Sequence, residues 1–225
     1  MVEIESLPLF PLSDVVLLPE VSVPLYIFEP RYRQMMKDAL AGSHLIGMVT
    51  VRPDSVEEMA GDPRIFPIGC VGRIAHWQER PDGTFQLLLV GEQRFRIREE
   101  QPKNSECLYR SAHVELLEDR QPQTPADFAE LNQGREDLLV DLDRLIRRSI
   151  SEDQDPHEVL SHFEELPPAR LVNALTQAIS FRPIERQQLL EADSVLNRFE
   201  IMQDLLRFQL AEIGGAPTDA KPLPN

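Results

Sequence analysis

Lysine is nearly absent: the 225 residues hold only Lys37, Lys103 and Lys221, preceded by Met36, Pro102 and Ala220. A phosphate-cradling loop of the form G-x-x-x-x-G-K-[ST] needs a glycine before its lysine, so none of the three belongs to one. Serine–lysine hydrolysis needs a desolvated lysine as base. Lys37 falls on the polar face of an expected helix, Lys103 among polar residues and Lys221 near the polar end, so no such base is expected. A G-x-S-x-G elbow is missing too. Gly69-Cys70-Val71-Gly72 lacks the third glycine of a dinucleotide fingerprint and reads as strand-edge geometry.

Cysteine is equally scarce. Cys70 and Cys107 form no C-x-x-C pair, which suits a reducing compartment and free thiols, most often small core residues. A thiol mechanism has no local support. No apolar run approaches the roughly 18 to 20 residues of a membrane helix, and the opening Met1-Val2-Glu3-Ile4-Glu5 is not a basic segment followed by an apolar one. A soluble, cytoplasmic protein without membrane contact is expected. Positive charge is in deficit, with 23 basic against 38 acidic side chains and a net charge of −15, which disfavours phosphate backbones and anionic lipid. Residues 119 to 165 carry 13 acidic and 5 basic side chains, a net −8 that reads first as a solvated face and second as an acidic docking surface.

Histidine offers one metal-like pattern, His157-Glu158-Val159-Leu160-Ser161-His162. Its spacing of five turns the second imidazole roughly 140° from the first at about 100° per residue, so one ion is not shared on a helix. His44, His76 and His113 are scattered among expected strands, in hydrogen-bonding or surface roles. No catalytic residue, metal or cofactor is expected.

Apolar residues make up 42% of the chain, enough for a sizeable core. Up to about residue 118 they come in short alternating or β-branched runs: 7–12, 15–18, 23–28, 45–51, 71–77, 85–90, 94–98 and 109–116. Pro8, Pro11, Pro19 and Pro24 make the opening extended but irregular, since proline cannot donate to a ladder. Pro81-Asp82-Gly83 predicts a turn joining 71–90 into a hairpin. One helix interrupts the strands, with Pro30 at its start, Tyr32, Met35, Met36, Ala39 and Leu40 on one face, and Gly42 as its stop. It is expected to pack on the sheet.

Beyond residue 118 the period becomes helical. Residues 119–125 read as a linker and 126–212 as a helical bundle, with apolar stripes along 126–149, at 171–179 and at 195–206 and a cap at Asp155-Pro156. Residues 213–225 read as a disordered tail. The fold class is α+β, with a β-rich part at 1–118 followed by helices.

Residues 7–40, LPLFPLSDVVLLPEVSVPLYIFEPRYRQMMKDAL, closely resemble the opening of the Lon N-terminal domain family, in which an L-P-L-F-P-L strand leads to a P-L-x-I-F-E-P-R-Y-R-x-M helix entry. The similarity continues at 46–49, at 69–74 and at 87–97, and in kind through the helical part, so that it spans most of residues 5 to 212. The resemblance implies a PUA-like pseudo-barrel with one packed helix, then a helical bundle, and a role in capturing unfolded or hydrophobic polypeptide for degradation. The ATPase and Ser–Lys peptidase modules that accompany this domain in the ATP-dependent protease are not expected here. A related domain in cereblon serves an interaction scaffold.

In that motif Phe28, Glu29, Pro30, Arg31 and Tyr32 read first as structure, with Glu29 capping the helix and pairing with Arg31 or Arg33 while Phe28 and Tyr32 pack on the barrel. The functional alternative is that Tyr26, Phe28, Met35 and Met36 border an apolar, peptide-binding groove, since methionine and aromatic side chains adapt to varied partners. A polypeptide-binding module is the leading expectation, ahead of a scaffold for one specific protein, an uncharacterised hydrolase and an RNA binder. The last would need a basic stripe with aromatics, whereas Arg94, Arg96 and Arg98 alternate within an acidic chain.

Overall fold

The computed structural model describes residues 2–101, 103, 106–149 and 155–215, with side chains described through residue 211. Six strands are formed: β1 (Glu3–Leu12), β2 (Ser22–Ile27), β3 (Leu45–Thr50), β4 (Ile68–Glu79), β5 (Phe85–Gln101) and β6 (Ser111–Leu117). Their order is β2-β5-β4-β3-β1-β6, and β6 also pairs with β5, so five strands close into a ring. β1 and β3 run parallel and the other pairs antiparallel. The 17-residue β5 spans both expected runs at 85–90 and 94–98. Its first half carries β2 on the edge that β6 occupies along its second half. β2 therefore lies outside the ring with one edge unpaired among the described residues.

The hairpin forms through the anticipated turn. Gly83 takes φ 75° and donates to the Arg80 carbonyl at 2.8 Å, while Asp82 accepts the Thr84 N–H at 3.0 Å. Residues 15–18 differ from expectation. Val16, Leu17 and Leu18 are buried, yet their backbone leaves the ladder in a loop closed by the exchange of Glu20 and Val21 with Gly91. Leu18 comes so close that a Cβ at Gly91 would lie 2.0 Å from its carbonyl oxygen. Gly69 also differs: β4 is paired on both sides, and a Cβ at Gly69 would lie 2.4 Å from the Met48 carbonyl oxygen, so close packing inside the sheet replaces edge geometry.

α1 (Pro30–Ala41) buries Tyr32, Met35, Met36 and Ala39, the stripe read from spacing. These side chains join Phe10, Ile27, Ile46, Cys70, Phe85 and Leu89 in the larger core cluster. Each large side chain buried there stabilises by about 1.5–3 kcal/mol. Gly42 follows the helix at φ −121°, and the left-handed turn falls on His44, φ 61°, whose N–H reaches Ala39 O at 2.9 Å.

By compactness the chain divides into two units. One runs through Arg120 and recovers Asn173–Asp193; the other is Gln121–Val172 and resumes at Ser194. The 173–193 stretch holds the end of α4 (Pro168–Ala178) and all of α5 (Pro183–Glu191), so α5 joins the strand-rich unit. Leu190 enters the core cluster. Gln187 accepts from Thr50 Oγ1 at 2.7 Å and donates to Ile68 O at 3.0 Å. Arg94, 3% exposed, donates to Leu190 O at 3.0 Å, to Ala192 O, and to Asp119 at 2.7 Å. That guanidinium replaces solvent with two carbonyls and one carboxylate, the condition under which a buried charge is tolerated.

The second unit contains α2 (Pro125–Ser149), α3 (Pro156–Glu164) and α6 (Val195–Gly215), and it includes the start of α4. Thr124, placed in the expected linker, instead exchanges hydrogen bonds with Asp127 as a cap for α2. Asp155 caps α3 by accepting the His157 N–H at 2.9 Å. α2 and α6 run side by side in the same direction, tied by Gln203 to Gly134 O at 3.2 Å and Arg148 to Leu210 O at 3.1 Å. Their stripes bury Leu138, Leu142, Leu145, Phe199, Met202 and Leu206. Phe128, counted in that stripe, is 53% exposed. The expected tail begins at 213; α6 continues to Gly215, and 216–225 lie outside the described residues.

Candidate functional site

A strand presents successive side chains on opposite faces, so an apolar run inside a strand is necessarily apolar on both. β5 contains such a run, Leu87-Leu88-Leu89-Val90. Leu87 and Leu89 are in the core, which turns Leu88 and Val90 to the other face, where both remain half-buried. The pairing Pro24↔Leu88 and Tyr26↔Gln86 puts Pro24 and Tyr26 beside them on that outer face. Phe28 follows two residues beyond Tyr26, and the two rings stack at 6.0 Å with 29° between their planes. Tyr26 is 50% and Phe28 60% exposed. The result is an outward apolar ribbon of Pro24, Tyr26, Phe28, Leu88 and Val90 along the strand that has an open edge.

The ribbon is held from the hairpin turn. Tyr26 Oη donates to Thr84 Oγ1 at 3.2 Å, and Thr84 Oγ1 donates to Asp82 at 2.7 Å. Those bonds from Thr84 lower the Asp82 pKa below the usual carboxylate value, keeping it an acceptor. Gly83 faces the Arg33 guanidinium of α1 so closely that a Cβ would meet Nη2 at 2.0 Å.

The four expected groove residues separate. Tyr26 and Phe28 face solvent, whereas Met35 and Met36 are 0% exposed. The groove reading fails for the methionines because the stripe that makes α1 amphipathic is the face it buries. Phe28 does not pack on the barrel, whereas Tyr32 does, edge-on to Phe10 at 4.6 Å. Glu29 precedes the helix without a side-chain cap and pairs instead with Arg31 at 2.9 Å. Pro24, Leu88 and Val90 were missed, although the unbroken run 87–90 within a strand signals them. Trp77 lies in the row of Leu25 and Leu87, on the core-facing side of the pleat, 6.4 Å from Phe85.

Elsewhere the reactive groups stand apart. Cys70 is buried and its thiol is pushed well above the usual range by burial. His157 and His162 are exposed on α3, and His162 Nδ1 lies 2.7 Å from Glu158 O. Lys103 pairs with Asp62 at 2.7 Å. Among the described residues no three His, Cys, Asp or Glu side chains converge as a metal set, and no helix is long and apolar enough to cross a membrane.

Comparison with known proteins agrees with this architecture. The crystal structure of a Lon N-terminal domain protein from Xanthomonas campestris superposes with a TM-score of 0.60 at 24% identity, covering 91% of this chain and 99% of that one. The N-terminal domain of a Mycobacterium avium complex Lon protease gives 0.66 at 19%, covering 90% and 98%. Lon protease of Dictyoglomus thermophilum is 30% identical over 197 residues, 87% of this chain and 23% of that protein. Lon protease of Escherichia coli is 26% identical over 214 residues, 91% of this chain and 25% of that protein. The chain thus spans about a quarter of the length of these curated relatives. Residues 6–207 match the profile of the ATP-dependent protease La (LON) substrate-binding domain, and the chain belongs to that family.

Proposed function

We propose that this chain is a non-catalytic module that captures unfolded or hydrophobic polypeptide through the outward ribbon of β2 and β5. The observation that carries this reading is the exposure of Tyr26 and Phe28, 50% and 60%, beside Pro24 and the half-buried Leu88 and Val90. A contiguous apolar surface of this kind marks an interaction site. Family membership supports polypeptide as the occupant, and a sequence without a phosphate-loop motif supports binding without turnover. The net charge of −15 favours basic, apolar segments over acidic ones. Affinity on the order of micromolar is expected, because a small ribbon must offset the ordering of a flexible chain.

Fluorescence anisotropy of labelled unfolded peptides tests the reading directly. Basic apolar peptides should saturate below about 1 mM, acidic controls should bind more weakly, and the difference should shrink above about 0.15 M salt, where screening shortens to about 8 Å. Tyr26→Asp with Phe28→Asp should lower affinity at least tenfold with an unchanged circular dichroism spectrum, since neither ring is in the core. Unchanged binding by this variant sinks the ribbon. Binding restricted to one folded protein, with no competition among unrelated peptides, transfers the function to a dedicated scaffold.

A further inference from the structure

A concave feature lies apart from the ribbon within the strand-rich unit, a cleft of about 450 Å³ between β1, the end of α1 and the segment entering β6. That volume is in the range of small-molecule sites, about 300–1,000 Å³. Its polar wall has an uneven proton inventory. Ser6 Oγ and Ser111 Oγ both donate to Gln101 Oε1, at 3.0 and 2.8 Å, and Tyr109 Oη donates to Asp38 Oδ2 at 3.0 Å. One Gln101 Nε2 hydrogen goes to Glu5 O at 3.1 Å, which leaves the amide a single further donor. Burial and the neighbouring Asp38 hold the Tyr109 phenol well above its usual pKa, so its proton stays in that bond.

With those hydrogens committed, the hydroxyl oxygens of Ser6, Ser111 and Tyr109 keep acceptor capacity in the wall beside the Asp38 carboxylate, while Ser43 Oγ accepts the Leu45 N–H at 3.3 Å and keeps its own hydrogen. The wall also includes Gly42 and Ser43, so it takes in the C-terminal end of α1, whose last turn carries no basic residue. The final carbonyls of a helix and its dipole make that end electronegative. Among the described residues no lysine, arginine or histidine lines the cleft, and Lys37 lies just before that turn.

We propose that this cleft binds an organic cation, an alkylammonium or guanidinium group seated on the Asp38 carboxylate and the surrounding acceptor oxygens. The chemistry is shared by free diamines and by lysine or arginine side chains of a polypeptide. A neutral or anionic head group would meet negative potential and a wall in which acceptors outnumber donors such as the Ser43 hydroxyl and one Gln101 amide hydrogen, so selectivity follows from the wall.

The test uses the full chain and four probes: 1,4-diaminobutane, N-acetyl-lysine amide, and their uncharged counterparts 1,4-butanediol and N-acetyl-norleucine amide. Binding is read from two-dimensional NMR shifts of the Gln101 side-chain amide and the Gly42 N–H. At least one cationic probe should saturate with a dissociation constant on the order of 1 mM, a reasonable strength for so few heavy atoms. Asp38→Asn, which retains an acceptor for Tyr109, should weaken it about tenfold through loss of one charge-assisted hydrogen bond. Ser43→Lys, at an exposed position on the wall, should place a tethered ammonium in the cleft and abolish binding of the free probe. Tighter binding of the diamine assigns a free metabolite-like cation; tighter binding of the lysine amide assigns a polypeptide side chain. The proposal is overturned if the uncharged probes bind equally, if both variants bind like the parent, if sodium or magnesium ions displace the probe at equal concentration, or if no cationic probe saturates by about 10 mM.

Discussion

The two units hold themselves together differently. In the strand-rich unit, partners far apart in sequence meet through buried polar groups: Arg94 with Leu190 and Ala192, Thr50 with Gln187, Asn173 with Pro19. In the helical unit the polar contacts are mostly local, such as the exposed Arg207–Asp204 and Arg147–Asp143 pairs, three and four residues apart, with Asp141 and Arg198 as its buried charges. Exposed pairs of that kind contribute little, while a buried charge that loses its partners is costly. The contrast teaches that the strand-rich unit depends on a specific distant segment, whereas the helices draw on amphipathic stripes and caps.

The largest test removes the distant segment. A fragment of residues 1–120 retains all six strands and α1 but lacks Gln187, Leu190 and the carbonyls that receive Arg94. It should aggregate and lose its near-ultraviolet dichroism, and a monodisperse folded fragment would erase the contrast. Next, Arg94→Ala in the full chain should cost about 3–5 kcal/mol in urea unfolding, because Asp119 and two carbonyls lose their donor. Gln187→Leu should cost about 1–3 kcal/mol, as Thr50 and Ile68 O are left without a partner in the interior.

Smaller effects belong to the local contacts and to reactivity. Asp155→Ala removes the α3 cap and should cost about 1 kcal/mol, read from the same unfolding curves. A loss as large as that of Arg94→Ala would show the helical unit to be no less dependent on single polar groups. Native alkylation with iodoacetamide should label one thiol of two by mass spectrometry, because Cys70 is buried and protonated while Cys107 is half-buried. Two labels without unfolding would mean that the strand core opens readily.

Much of the fold was legible in residue order because the signals were local. The Pro81-Asp82-Gly83 turn, the buried stripe of Tyr32, Met35 and Met36, the Asp155 cap and the change of period near residue 118 each depend on a few neighbouring residues. The family motif at 7–40 carried the fold class in the same way. Less of the site was legible. A stripe of methionines and aromatics looks the same whether a helix shows it to solvent or to a sheet, and the packing of α1 sent Met35 and Met36 inward.

What the sequence alone determined is the kind of element at most positions, the acidic balance and the missing phosphate-loop chemistry, all properties of composition and short spacing. Tertiary structure alone decided which face of each element meets water. It returned residues 173–193 to the strand-rich unit, because Arg94 and Gln187 find partners there that no local pattern announces. It also left Tyr26, Phe28 and Leu88 outside. β5 is apolar on both faces, but only one face can reach the core.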